Sequence, residues 1–546
     1  MASAFREHTM IASTEQEGLV RKMRRAWGES PFYQMRLRGP APDRLISTPQ
    51  DPFTPDNELG NSFLSGRVSL GSEQLDCDND LSRMWGHATP GGPLFCFLQE
   101  FSWLRHLSVL GEPGGDAAKV LMRSWLDRYE LWSDDAWAPY LAAERLVQLC
   151  AHHELILKST DALWRSRVLT AMARQTRHLA NSAHRAGNSF DRLMSSLGLC
   201  IAGYALPGCE AAGIRGLEMA HRELRLQLRG DGGHVSRNPS RQLKLAVRLR
   251  QALAAVEAHG VTAPGHLRHT VARVSAMTMF FRLGDGKLAV FNGGYEDDPR
   301  AVLFVNEAVD PNFMPLDFAR QSGYHRLTAG RSTAMIDTGS ESRAVGFQGA
   351  GSLQFSSGRS RIFVNCGNGG HRANEWRMAL TAPAAHCVLS YTGEEKTAPA
   401  FDKIKHWRAE DDKGRLVEFE RFNSADPSGG TYRRRIFLAA NGADFRGEEV
   451  LTGAAADPRA TWRFHLHPSI RASIARDGRS VVLQAANREG WRFKSNCERV
   501  TLEKSIYCGG GGAPVAAEQI VVSATDCIQT NDEIFVKWAL KRLDPV

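Results

Sequence analysis

A change of hydrophobic period part-way along the chain constrains its fold more than any other feature. From Leu94 the apolar residues Leu94, Phe97, Leu98, Phe101 and Leu104 recur at helical spacing. Similar patterns predict further helices over about 115–132, 136–155, 160–184, 189–205, 209–229, 239–259 and 263–283. Short breaks at GEPGG, ALPG and RGDGGH join them, which implies antiparallel helical hairpins in a bundle, a solenoid or a toroid. After about residue 300 the period becomes two. Runs such as RIFVNC, GRLVEFERF, TYRRRIFLA, ATWRFHLH and EIFVKWALK are separated by Gly, Asp and Asn turns, as expected of a large antiparallel sandwich.

A helical period does not settle as a strand, nor the reverse, so the chain needs at least two cores. Its 546 residues agree, because single cores stop growing beyond about 250–300 residues. The expected fold class is α+β multidomain. Residues 1–92, rich in Pro, Gly, Asp and Ser, read as an irregular lead-in; 93–300 form the helical domain; 301–546 form the β-sandwich, with the boundary around GGYEDDP.

The net charge of +8 admits nucleic acid, an anionic membrane or an acidic polymer as partner. No RRM, KH or C₂H₂ spacing accompanies it, so no nucleic acid is expected. No window approaches the roughly 20 apolar residues that span a bilayer, so no transmembrane segment is expected either. The ten cysteines form no C-x-x-C spacing and read as free core thiols. With no apolar run in MASAFREHTMIASTEQEGLVRKMRRAWGE, they point to the cytoplasm, with the periplasm or cell envelope as the alternative.

Two segments can carry chemistry. In Asp231-Gly232-Gly233-His234-Val235-Ser236-Arg237-Asn238-Pro239-Ser240-Arg241, Asn238 and Pro239 read as N-cap and first residue of a helix. Arg237 and Arg241 flank that electropositive end, where guanidinium groups can grip a carboxylate or sulfate, and His234 is suited to proton transfer. The competing reading is a turn, a cap and solvated arginines. In His184-Arg185-Ala186-Gly187-Asn188-Ser189-Phe190-Asp191, Asn188 either caps the next helix with Asp191 or offers its amide to a substrate carboxylate, with His184 beside it. His465 and His467 share a strand face with Arg463, which disfavours a cation there. GxSxG, P-loop, HExxH and Rossmann fingerprints are all missing.

Helical hairpins followed by a sandwich, with FSWLRHL at 101–107, the Asn188 segment, DGGHVSRNPS at 231–240, LQFSSGRSRIFVNCG at 353–367, AAHCVLSY at 384–391 and TWRFHLHP at 461–468, resemble the heparinase II/III family of polysaccharide lyases. The resemblance runs from about residue 90 to the end. It implies an incomplete (α/α) toroid ahead of the sandwich and β-elimination on a uronic-acid polymer. In that chemistry one group neutralises the C5 carboxylate, a base takes the C5 proton and an acid protonates the departing O4. Asn188 falls where the family carries its carboxylate-binding Asn.

The departures are as informative. Where the family reads S-P-x-Y-H this chain has Asn238-Pro239-Ser240-Arg241-Gln242, so Arg241 replaces the acid/base Tyr. Val345-Gly346-Phe347-Gln348-Gly349 replaces an H-x-H-A-D string, and Asn365 replaces an Asp of zinc-containing relatives; of that metal site only His386 survives. No metal and no other cofactor is expected. The reading is a lyase-like protein acting on an acidic oligo- or polysaccharide, with Asn188, His234 and Arg241 as catalytic candidates. His184, Arg237 and Asn238 are substrate-binding candidates, and Tyr295 or Tyr204 is the candidate acid. The alternative is a non-catalytic glycan-binding or scaffold protein that has lost the acid/base set.

Overall fold

The computed structural model describes residues 22–23, 25–159, 161–309, 317–339, 346–370, 374–393, 401–425, 429–530 and 532–544. The chain divides into two compact units, one from residues 1–227 with 248–268, the other from 228–247 with 269–546. The division is not a single cut near residue 300: the stretch 228–247, which carries DGGHVSRNPS, and residues 269–300 group with the strands.

The first unit is helical. Its helices Gly111–Tyr129, Pro139–Ala151, Ala162–Ser182, Ser189–Ala205 and Glu210–Gln227 match the spans read from the apolar stripes, as does Pro239–Ala258. Ser189–Ala205 and Glu210–Gln227 pack backbone against backbone, since a Cβ on Gly203 would run into Gly213 and one on Gly216 into Cys200. Arg145, fully buried, donates to Gln175 Oε1 at 2.7 Å, Gln99 O at 2.8 Å and Ala136 O at 2.9 Å, and lies over the Trp125 ring. Residues 1–92 are not merely an irregular lead-in. Residues 1–21 lie outside the described residues, but beyond them come helices Pro31–Arg36 and Asn57–Leu64 and the hairpin Arg67–Leu70 with Glu73–Asp76. Phe63, Val68, Leu75 and Trp85 join the helical core. These elements run four to eight residues, too short to display a period.

Among the described residues the second unit holds three antiparallel sheets. The largest, of nine strands, runs in the order Arg471–Ile474, Ser480–Gln484, Gly490–Ser495, Glu533–Arg542, Asp444–Thr452, Thr431–Ala439, Gly414–Phe422 and Lys403–Glu410, with Ile528–Thr530 beside Glu533–Arg542. A four-stranded sheet orders Thr501–Tyr507, Val515–Ser523, Ala460–His465 and Leu389–Tyr391. The five-stranded sheet is a meander from Phe318–Ala319 through Tyr324–Ala329, Ser332–Asp337 and Leu353–Ser357 to Ser360–Phe363. Inward side chains of all three, including Ile336, Phe355, Trp462, Phe464, Phe493 and Trp538, make one core, which is the sandwich the alternating runs predicted.

The cysteines depart from expectation at one place. Cys497 and Cys527 form a disulfide, while the other eight are free thiols. Spacing did not reveal the pair, because the two sit in loops brought together by the strands that precede and follow them.

Inside the sandwich Arg434 faces Glu449 across neighbouring strands, both fully buried. Arg434 Nε donates to both carboxylate oxygens at 2.8 Å, and Glu449 also accepts from Tyr432 Oη at 2.6 Å and Trp538 Nε1 at 2.9 Å. Arg434→Met strands the carboxylate without its cation and should cost about 3–5 kcal/mol, read as a lowered denaturant midpoint. Pairing it with Glu449→Leu should recover much of that loss, because the buried charge is then gone as well.

Candidate functional site

The segment 231–242 is held by hydrogen bonds at almost every residue. Gly232 turns it at φ +86°, and the Asp231 carboxylate accepts from Gly233 N, Ser322 N and Ser322 Oγ at 2.7–3.1 Å. His234 is buried. Its Nδ1 accepts the Ser236 N–H at 3.1 Å and lies 2.7 Å from Ser236 Oγ, which puts the ring proton on Nε2. Burial first, then the Arg241 and Arg229 charges, lower its pKa to about 4. A neutral His234 with its proton on Nε2 and its Nδ1 occupied is a poor base in this arrangement.

Arg237 is not the solvated clamp the sequence suggested. Its side chain is 2 % exposed, donates through Nε to Ser322 O at 2.8 Å, pairs through Nη2 with the buried Asp337 carboxylate, and lies over the Tyr324 ring. Its backbone sits in the left-handed region at φ +56°, a conformation that costs on the order of 1 kcal/mol for a non-glycine residue. Asn238 does cap the helix that begins at Pro239: its Oδ1 accepts Arg241 N at 3.0 Å while its Nδ2 donates to Asn292 O at 2.8 Å. Both ends of its amide are therefore used within the protein. Gln242, standing where the family carries His, receives His234 N on Oε1 at 2.8 Å and donates Nε2 to Gly232 O and Val274 O at 3.0 and 3.1 Å. Arg241 remains half-buried at the start of the helix.

The sequence reading missed two carboxylates nearby. Asp297, φ +61°, accepts Ser240 Oγ at 2.6 Å, and that same Oγ receives Tyr295 N at 2.7 Å. Burial pushes Asp297 up to about 7, into the range of a working acid or base. Glu296 accepts from Tyr507 Oη at 2.7 Å, Lys287 Nζ at 2.7 Å and His467 Nε2 at 3.2 Å. Hydrogen bonds from His467, Lys287 and Tyr507 and the Arg361 charge hold it well below the usual carboxylate range despite burial. In sequence both are acids in a Gly-Asp loop, with nothing to mark them.

His465 and His467 are structural in their contacts. His465 is buried with Nε2 2.9 Å from Ala384 O, and His467 serves Glu296. The residues present do not fit the zinc of some relatives. Asn365 is a neutral amide engaged by Cys387 N at 2.9 Å and Val290 O at 3.0 Å, and His386, buried against Phe347, stands alone. Val345 of the substituted string lies outside the described residues.

Asn188 and His184 belong to the helical unit. Both are exposed, in the link between Ala162–Ser182 and Ser189–Ala205. Asn188 is the N-cap of the second helix: Oδ1 accepts Asp191 N at 3.0 Å and Nδ2 donates to Asp191 Oδ2 at 2.8 Å. The amide thus already holds a carboxylate of its own chain, and a uronate would have to displace Asp191 against like charge. Partial burial, Arg185 and Arg215 lower the pKa of His184. Tyr204 is buried in the Ser189–Ala205 helix against Gly213 and His259, which removes it as an acid.

The heparinase II/III-like C-terminal domain matches residues 314–539. The chain's C-terminal part is thus heparinase II/III-like. Across nearly its whole length the chain is 27% identical to FtsZ-localized protein C of Caulobacter vibrioides, covering 95% of this chain and 94% of that one. Among solved structures, heparinase III matches with a TM-score of 0.68 at 14% identity, over 89% of this chain and 84% of that one. A mutant of heparan sulfate lyase HepC from Pedobacter heparinus matches at 0.63 and 12%, over 94% and 88%. These likenesses show a toroid-plus-sandwich fold. Among the described residues no helix is long and apolar enough to cross a membrane.

Two outcomes follow. Asn188→Ala should cost about 1 kcal/mol in thermal or chemical unfolding, and Asn188→Ser should restore most of it, as a cap requires. The second concerns pH. Burial lowers His106, His234 and His386 to about 4 and His178, His325 and His465 to about 3. Each binds its proton more readily in the unfolded chain, so the stability they confer is complete above about pH 6.5 and is lost as pH falls toward 4. Asp297, raised to about 7, and Asp337, also raised by burial, have the opposite sign, two carboxyls against the six imidazoles. Melting temperatures should therefore drop between pH 7 and 4.5, and a flat profile would contradict the assignment.

Proposed function

We propose that this chain is a non-catalytic protein built on the lyase fold, which serves as a scaffold at FtsZ. The observation that carries the reading is the pair at 241–242. Where the resemblance expects a Tyr and a His to move protons, the chain has Arg241 and a Gln242 whose amide is locked on both sides. An arginine stays protonated at any working pH, and an amide does not titrate. The similarity to FtsZ-localized protein C, extending over nearly the full length of both chains, supports FtsZ as the partner. The proposed compartment is the cytoplasm.

A second reading keeps the chemistry on acidic glycans. It is favoured by Asp297, whose carboxyl titrates near neutrality two residues from Tyr295. In that reading Asp297 and Tyr295 replace the missing base and acid, while Arg241 holds the uronate carboxylate. β-Elimination on a uronic-acid polymer creates an unsaturated product that absorbs in the ultraviolet.

One pair of assays separates the readings. The purified chain should co-sediment with FtsZ polymers, and it should yield no new ultraviolet absorbance on heparan sulfate, hyaluronan, alginate or polygalacturonate. Absorbance that grows with time and disappears in Asp297→Asn would overturn the scaffold in favour of the lyase.

A further inference from the structure

We infer that the outward face of the nine-stranded sheet is a docking groove for an extended acidic polypeptide segment. Two grooves lie on this face and share Arg542 and Leu543, with about 940 and 810 Å³ of water-accessible space. One cross-strand row, Ser473–Val482–Arg492–Lys541–Asp444, runs from the first into the second. A second row, Lys494–Ala539–Arg446–Phe437, lies beside it.

Ala539 is the floor of the second groove. Lys494 and Arg446 oppose it on the neighbouring strands, and Lys537 and Lys541 stand two residues before and after it on its own strand, facing the same way. Four cations thus surround one methyl group, at the roughly 5–7 Å spacings of a sheet. Arg492 directly opposes Lys541, a like-charge pair that destabilises a sheet. Lys541 and Arg446 share Asp444, and Lys537 reaches Glu448 at 3.7 Å. Among the described residues Arg492 and Lys494 have no ion-pair partner. Arg331, Arg471 and Arg488 continue the positive charge along the first groove.

The occupant follows from what else lines the grooves. Ala539, Phe437, Leu543 and the amides of Gln484, Asn487 and Asn496 accompany the cations. The aromatic rings lining the grooves are Phe437, half-buried, and Trp538, buried beneath the floor, which leave a base or a sugar ring little face to stack on. A concave trough does not fit a planar bilayer. Extended polypeptide fits on both counts: its same-face carboxylates repeat at nearly the 6.8 Å spacing of Arg492 and Lys494, and side-chain amides satisfy its unpaired N–H and C=O groups. The inference does not rest on the FtsZ reading, because it concerns other residues and other chemistry.

The test uses the full chain and fluorescence anisotropy of a short labelled glutamate-rich peptide. Binding should saturate, weaken as salt rises, and fall at least about tenfold in Arg492→Glu with Lys494→Glu, while the melting temperature stays near that of the parent. Arg492→Gln with Lys494→Gln should give an intermediate loss, and it decides the matter should the reversed charges unfold the sheet. The inference is overturned if the peptide fails to bind, or if a folded variant binds as tightly as the parent. It is equally overturned if single-stranded DNA, a heparin oligosaccharide or anionic vesicles bind this face more tightly than the peptide.

Discussion

The ion pair between Arg237 and Asp337 determines what the segment 231–242 is able to do. Both side chains are almost wholly excluded from water, and Asp337 is completed by Asn292 Nδ2 at 3.2 Å and Gly339 N at 3.0 Å. Tyr324 donates its hydroxyl to Arg237 O at 2.7 Å and offers its ring to the guanidinium. Turning Arg237 outward to meet a ligand would leave Asp337 buried without its cation, a change worth several kcal/mol. The neighbours inherit this constraint. With Arg237 pinned in a left-handed conformation, Asn238 is delivered to the first turn of the helix, and Gln242 one turn on is placed to brace the loop it came from.

Proton transfer needs a lone pair or a proton presented to substrate, on a group that titrates near the working pH. The segment has been emptied of such groups by the same bonds that stiffen it. His234 gives its Nδ1 to Ser236 and falls to about 4 through burial, and Gln242 and Asn238 are amides used at both ends. What titrates near neutrality is Asp297, reached through Ser240 rather than through any residue the family motif would mark. The hydrogen bonds that hold the loop do not depend on a group that titrates near neutrality.

The contrast between what was legible in the sequence and what was not has a physical cause. Helices such as Ser189–Ala205 and Pro239–Ala258 announce themselves because burial must recur every three or four residues, and Asn238-Pro239 is a local signal for a local event. The alternating run ATWRFHLH was readable as a strand for the same reason, and it forms Ala460–His465. Arg237 was misread as a clamp because its partner lies 100 residues away at the end of a strand, and nothing nearby distinguishes a buried arginine from a solvated one. Asn188 left two readings open, cap or ligand; the bonds to Asp191 are those of the cap. The Cys497–Cys527 bond and the raised carboxyl of Asp297 are likewise products of tertiary packing.

The outward face of the large sheet obeys a different logic. On Gly490–Ser495 and Glu533–Arg542 the inward residues Trp491, Phe493, Trp538 and Leu540 are buried in the sandwich core, and a slip of one residue would drive Arg492 and Lys541 into it. Register is therefore set from the inside. The outward positions are left free of packing demands, and a sheet optimised for stability alone would alternate charges there, as Lys537, Glu448, Arg435 and Glu418 do. In the adjoining rows that alternation fails: Arg492 opposes Lys541, and Lys494 and Arg446 flank Ala539. Repulsion kept where packing does not require it is best relieved by an anion from outside, and its arrangement along two joined grooves favours a chain of carboxylates over a single one.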